Sequence, residues 1–228
     1  MKKVSIVFFG IGGFGDHYLE KLLPRKDELG YEIAGAVDPF PQGCKHLAEL
    51  EAVGVEFFNT PEEFFAEKRA DLAIISTPIH FHARHIILAL ENGCHVLCEK
   101  PLCGDKADIE RIKEVRDSTG KFVMIGYQWS HAREILALKD DISNGVYGRP
   151  VRLKTLIYMP RKREYFVRSS RWAGKRRAAD GSLLNDSIAN NAAAHYLHNL
   201  LFVTGGAFGR SSEAVRSEER RVGKECFV

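Results

Sequence analysis

Residues 3–38 read KVSIVFFGIGGFGDHYLEKLLPRKDELGYEIAGAVD. The order is an apolar run, a glycine-rich turn, a helical segment and a second apolar run that ends on an acid. Glycines spaced as GxGxxG are common by chance, and it is this strand, turn, helix, strand, acid context that makes them a dinucleotide signal. Val4, Ile6 and Val7 with Phe8 and Phe9 predict a strand buried on both faces. The turn runs through Gly10, Ile11, Gly12, Gly13, Phe14 and Gly15. Gly10 permits the tight turn, Gly12 lets the backbone approach a pyrophosphate, and Gly15 lets the helix pack closely on the strand. The helix that follows aims unpaired amides and its positive dipole end at the phosphates. Asp38 lies 23 residues beyond Gly15, where a carboxylate accepts hydrogen bonds from a ribose diol. It would repel a 2′-phosphate, and neither Pro39 nor Phe40 offsets that, so NAD is expected over NADP. Lys45 is the one nearby cation that could reverse the preference.

Outward from this stretch the same alternation continues. Strands are expected at 4–9, 32–37, 55–58, 72–76, 95–98 and 122–125, with helices over 18–23, 45–50, 61–67, 83–90 and 109–115. Such alternation predicts an α/β fold with a doubly wound, mostly parallel sheet. Farther on, Ala132, Ile135, Leu136, Leu138 and Ile142 form a helical stripe expected to face a core.

The chain has 228 residues and a formal net charge of +3 from 33 basic and 30 acidic residues. That balance argues for neither nucleic acid nor an anionic membrane as partner. No apolar stretch is long enough to span a bilayer, and no targeting signal is evident, so a cytoplasmic protein is expected. Basic residues crowd between Arg161 and Arg177, among them Arg168 and Arg171, as a solvated face or as contacts to an anionic substrate. Cys44, Cys94, Cys98 and Cys103 match no metal-binding spacing and read as free thiols; no metal is expected. Residues 216–226, RSEERRVGKEC, lack apolar periodicity and resemble a translated sequencing-library adapter. They are expected to be a non-native tail, with a natural charged tail as the alternative, and on the first expectation the chain is a truncated one.

Two short motifs end the fourth and fifth strands, the edge where ligands of such sheets bind. Ser76, Thr77 and Pro78 close one, with His82 following; Glu99, Lys100 and Pro101 close the next, inside CHVLCEKPL. Together with GIGGFG and AVD at the second strand's end, they resemble the glucose-fructose oxidoreductase and inositol 2-dehydrogenase family, Gfo/Idh/MocA, over roughly the first 150 residues. The resemblance implies a Rossmann domain at 1–126, a truncated α+β substrate and oligomerisation domain at 127–215, and a tail at 216–228. It implies NAD(P)-dependent oxidation of a sugar, cyclitol or related polyol by a protein that is a homo-oligomer at full length. The cofactor would be held by the glycine turn, Asp38, Ser76, Thr77, Pro78, His82, Glu99, Lys100 and Gln128. Lys100 would exchange a proton with the substrate hydroxyl, which an amine out of water and beside a cationic ring does readily. Pro101 would fix its approach, through a cis peptide in one of two alternatives.

VYGRP at 146–150 resembles the family's hinge, and 151–159 reads as the second domain's first strand. The family pattern continues with an aspartate and a histidine four residues later. Asp186 matches the first, but Asn190 occupies the histidine position. His195, one helical turn beyond Asn191 on a shared face, could supply the imidazole, or could simply pack. Tyr127, Gln128 and Trp129 are expected at the pocket mouth, the two rings offering a face to a sugar or else packing in the core. The alternatives to a dehydrogenase are a non-catalytic ligand sensor on the same scaffold and an inactive fragment that binds cofactor.

Overall fold

The computed structural model describes residues 3–167 and 172–205. The chain forms two compact units. One comprises Met1–Gly126 with Arg177–Leu184, and the other Tyr127–Arg176 with the chain from Asn185 onward.

The first unit is built on six strands, β1 (Val4–Phe9), β2 (Tyr31–Val37), β3 (Phe57–Phe58), β4 (Leu72–Ile75), β5 (His95–Cys98) and β6 (Val123–Ile125). They pair in the order β3-β2-β1-β4-β5-β6, every neighbour parallel. The helices are α1 (Gly15–Leu22), α2 (Lys26–Leu29), α3 (Leu47–Ala52), α4 (Pro61–Glu67), α5 (Ile79–Glu91) and α6 (Lys106–Thr119). Four of the five crossovers lead to the adjacent parallel strand, and the fifth, from β3 to β4, passes back over β2 and β1, so the strand order reverses direction between β1 and β4, which places the ligand crevice there.

Alternate residues of the strands feed two cores. Val7, Phe9, Val37, Ala73, Ile75, Val96 and Cys98 face Phe64, Phe65, Ile86, Leu90 and Ile112 of α4, α5 and α6. Ile6, Phe8, Ala36 and Ile74 face Leu19 of α1 and Leu50 of α3. Period-two alternation with both faces apolar is what a helix-covered parallel sheet demands. Local chemistry sets the helix ends. The Thr60 hydroxyl accepts from the Glu63 amide ahead of Pro61, the Asp105 carboxylate accepts from the Ala107 amide, and Gly120 closes α6 at φ 64°.

The second unit contains α7 (Arg133–Ser143), α8 (Arg163–Val167) and α9 (Ala194–Thr204), with a 3-10 turn at Gln128–His131 and a π-helical turn at Ile188–Ala192. Three expectations fail here. Residues 151–159 form no strand, because a strand exists through a neighbour's hydrogen bonds and none of the described residues pairs with them. The α7 stripe is not core: no residue of the helix is buried, and Leu136 and Leu138 are exposed, since α9 is its principal neighbour. Asn191 and His195 do not share one continuous helix, because the π-helical turn ends at Ala192 before α9 begins. Arg168, Arg171 and residues 216–226 lie outside the described residues.

Candidate functional site

The loops that leave the carboxyl edge of the sheet each continue its hydrogen-bond ladder by one rung. The amides of Gly10, Ser76, Glu99 and Gly126 donate to the carbonyls of Val37, Phe9, Ile75 and Cys98, all at 2.8 Å. Four site loops therefore start from fixed positions in one register.

At the first loop Gly10 sits at φ +83°, a region glycine favours, and a Cβ there would lie 3.0 Å from the Ser76 carbonyl carbon. The Ser76 hydroxyl donates to the Gly10 carbonyl at 2.7 Å, joining the glycine turn to the STP loop. A Cβ on Gly15 would overlap the Gly10 carbonyl oxygen, so this glycine serves helix packing. Gly12 differs: its Cβ would meet only the Gly43 backbone, at 3.5 Å, and a Cβ on Gly13 would meet nothing within 4 Å. No side chain caps α1. Bare backbone over open space at an uncapped helix start suits a pyrophosphate.

Asp38 is placed where the sequence reading puts it, at the end of β2, but it is already engaged. Its Oδ2 accepts from the Ile11 amide at 3.0 Å and the Gly12 amide at 3.4 Å, and its Oδ1 from the Phe40 amide at 2.9 Å. It thus holds the turn, and its remaining acceptor capacity is what a ribose diol could use. Lys45 is exposed and precedes α3 instead of lying on it; its amide donates to Asp16 Oδ1 at 2.8 Å. The buried Asp16 has no signal in the motif that would have singled it out.

His82 lies 1% exposed in α5. Its Nδ1 is 2.8 Å from the Pro101 carbonyl and its Nε2 2.8 Å from the Thr77 carbonyl. Both ring nitrogens are occupied, so His82 braces the two loops from beneath and offers neither nitrogen to a cofactor. Burial pushes its pKa down, against the pull of the two carbonyls. Near it the Thr77 hydroxyl lies 3.1 Å from His85 Nδ1, and burial lowers the His85 pKa to about 4.

Lys100 is half-buried, and the Lys100–Pro101 peptide is cis. Its neighbour Glu99 is 8% exposed. Glu99 Oε1 accepts from the Tyr18 hydroxyl at 2.7 Å and Oε2 from the Lys100 amide at 3.2 Å. Burial raises the Glu99 pKa, opposed by Tyr18 and by the Lys100 amide. Tyr18 was invisible as a site residue in the sequence because its partner stands 81 residues away. Gly104 is a second missed position: a Cβ there would overlap the Leu183 carbonyl oxygen, so the turn at 177–184, closed by the Arg177–Leu183 bridge, packs on the loop beyond Lys100.

Asp186 and His195 belong to the second unit. Asp186 Oδ2 accepts from the Gly174 amide at 2.5 Å and Oδ1 from Asn191 Nδ2 at 2.7 Å. Asn190, at the family's histidine position, turns its amide to the Asn185 carbonyl at 3.2 Å. The His195 ring stacks on Trp129 with centroids 5.3 Å apart and meets Tyr127 edge-on at 5.9 Å. Tyr127 itself stacks on His198 at 4.0 Å, and His198 Nε2 lies 2.7 Å from the Ser130 hydroxyl. The rings expected to offer a face to a sugar are thus engaged with histidines, while Gln128 between them is exposed.

A family model described as an oxidoreductase family with an NAD-binding Rossmann fold, GFO_IDH_MocA, matches residues 4–127. The chain is 28% identical over 150 residues to inositol 2-dehydrogenase of Salmonella paratyphi B, covering 65% of this chain and 44% of that protein. Against D-glucoside 3-dehydrogenase of Escherichia coli the identity is 26% over 145 residues, covering 64% and 40%. Among solved structures, the WlbA dehydrogenase of Bordetella pertussis in complex with NADH and UDP-GlcNAcA superposes with a TM-score of 0.72 at 24% identity, over 90% of this chain and 58% of that one. That likeness shows the fold. The chain spans under half the length of these curated relatives. Among the described residues no helix is long and apolar enough to cross a membrane.

Proposed function

Because the chain belongs to the oxidoreductase family with an NAD-binding Rossmann fold, we propose that it serves an NAD-dependent dehydrogenase acting on the CH–OH group of a sugar, cyclitol or related polyol. The observation that carries this reading is the placement of the glycine turn, Asp38 and Lys100 on one carboxyl edge of one parallel sheet. Gly12 and Gly13 present open backbone for the pyrophosphate, Asp38 takes the adenosine ribose, and Ser76 holds the turn. When bound, the nicotinamide supplies the acceptor or donor of a hydride. Lys100 takes the substrate hydroxyl proton in one direction and returns it in the other. Asp186, whose oxygens accept from the Gly174 amide and Asn191 Nδ2, orders its own turn in the second unit. His195, packed between Trp129 and Tyr127, is assigned to shaping the second unit. The working setting is the cytoplasm, and the full-length protein is a homo-oligomer.

Inositol and glucoside dehydrogenases among the relatives favour a neutral polyol, and the nucleotide-sugar complex of the WlbA dehydrogenase favours an anionic one. The basic residues Arg161, Lys162, Arg163, Lys175 and Arg176 suit the latter. A second reading, a non-catalytic sensor, draws support from Asn190 at the histidine position. Fluorescence titration with NADH and NADPH followed by a turnover screen decides among these. NADH is expected to bind more tightly, with Asp38→Ala narrowing the gap, and equal affinities would sink the NAD assignment. Lys100→Ala should cut turnover by roughly a hundredfold with cofactor affinity nearly intact. Binding of a sugar without turnover favours the sensor, and cofactor binding alone favours an inactive fragment.

A further inference from the structure

Glu99 is the one acid of the sheet's carboxyl edge that is both buried and tied to the lysine loop, and three separate elements fix its carboxylate. The Tyr18 hydroxyl, from the helix behind the glycine turn, donates to Oε1 at 2.7 Å. The Lys100 amide donates to Oε2 at 3.2 Å. At the end of β6, Gly126 leaves the carboxylate its space, since a Cβ there would stand 2.7 Å from Oε1. A tyrosine that only packed would need no hydroxyl against a buried acid, and a residue that only turned the chain after β6 would need no bare Cα facing it.

We propose that Tyr18 is a positioning residue: by donating to Glu99 it fixes the carboxylate that holds the Lys100 amide, and so couples the cofactor-binding helix to the lysine loop. Its meaning for catalysis rests on the dehydrogenase reading above. The charge pattern agrees with the geometry. Burial, reinforced by Glu99, pushes the Tyr18 phenol above its usual range, so the hydroxyl keeps its proton and stays a donor. Burial likewise raises the Glu99 carboxyl, while Lys100 and His17 favour its charged form. A change at the phosphate end of α1 is then felt at the lysine through one side-chain relay, without any movement of the sheet.

The test is amide hydrogen exchange of the present chain. In Tyr18→Phe, which keeps the ring and removes only the donor, exchange at the Lys100 amide should rise about tenfold, the amides of β1 and β4 staying within about twofold. Glu99→Ala should give the same local rise, and Tyr18→Phe added to it should give no more. Tyr31→Phe is the control, because the buried Tyr31 hydroxyl has no hydrogen-bond partner among the described residues. It should leave Lys100 unchanged. An unchanged Lys100 amide in Tyr18→Phe, or an equal rise throughout the sheet, overturns the proposal. If Tyr18→Phe does not fold, the Tyr18 ring carbon Cζ in Glu99→Ala decides: a shifted resonance supports the donation and an unmoved one overturns it. NADH titration of the unmutated chain judges the dehydrogenase reading separately. Failure to bind NADH removes that reading and leaves the exchange result standing.

Discussion

The two units hold their noteworthy residues by different means. In the first, backbone does it: Gly10, Ser76, Glu99 and Gly126 are each pinned by an amide that extends the sheet ladder. In the second, side chains carry more of it: Asp186 to Asn191, His198 to Ser130, and His195 against Trp129, with the Asp186 amide also donating to the Lys175 carbonyl at 3.0 Å. A ladder position is set by a strand's length, so a motif that ends a strand has its place before any side chain is chosen. A side-chain cluster has no such scaffold, and each member's position depends on the others. Substitutions in the first unit should therefore act through geometry, with large effects at few positions, and those in the second through modest, shared contacts.

The sharpest break in that contrast would come from Gly15. Gly15→Ala drives a methyl into the Gly10 carbonyl oxygen, and overpacking against backbone costs about 3 kcal/mol. A chain of this size should then melt roughly 6–12 °C lower. Gly12→Ala, with its nearest neighbour at 3.5 Å, should stay within about 0.5 kcal/mol yet weaken NADH about tenfold, because its space belongs to the ligand. Equal melting losses at the two glycines would mean that the turn is not held by the ladder as described.

A somewhat smaller effect is expected from acid. His85 has a folded pKa of about 4, against an unfolded value of about 6.5. Between those values the unfolded chain binds a proton that the folded chain does not, so stability is complete above about pH 6.5 and falls as the pH drops toward 4. At one pKa unit per 1.36 kcal/mol, the loss by pH 4.5 is about 2–3 kcal/mol. Melting curves at pH 7 and pH 4.5 should show the difference shrinking by that amount in His85→Gln. A slope unaltered by the substitution would show that another group carries the acid response.

In the second unit, Asp186→Asn leaves only one oxygen to accept from both the Gly174 amide and Asn191. The loss should be about 1 kcal/mol, since the site is partly open to water. Faster exchange at the Gly174 amide is the direct readout, and an effect as large as that of Gly15→Ala would erase the contrast between units.

The same contrast explains what could be read from the sequence. The six strands and the helix at Pro61–Glu67 were legible because apolar alternation, Thr60 and Pro61 act locally. The positions of Gly10, Asp38, Ser76 and Glu99 were legible because each follows the end of a strand. The Tyr18 to Glu99 bond spans 81 residues, and nothing near Tyr18 announces it. The segment 151–159 misled because its apolar pattern suits a strand, whereas a strand also requires a neighbour. The α7 stripe misled for a related reason: period reports which face is apolar, not whether anything covers it. His82 was expected to hold the cofactor, but in the fold it is buried with a carbonyl at each ring nitrogen.

The smallest effect should come from the ring pair in the second unit. Tyr127 lies face to face with His198 at 4.0 Å and 7°, and the same imidazole bonds the Ser130 hydroxyl at 2.7 Å. Tyr127→Leu keeps apolar bulk and loses the stack, worth about 0.5–1 kcal/mol. Ser130→Ala removes one hydrogen bond at a buried position, for about 1 kcal/mol. Both act on one imidazole, so the double variant should lose less than the sum, with a coupling of about 0.5 kcal/mol. Amide exchange along α9 provides the measurement. Strict additivity would mean that His198 is held by something other than these two contacts, and the second unit would then owe its order to backbone after all.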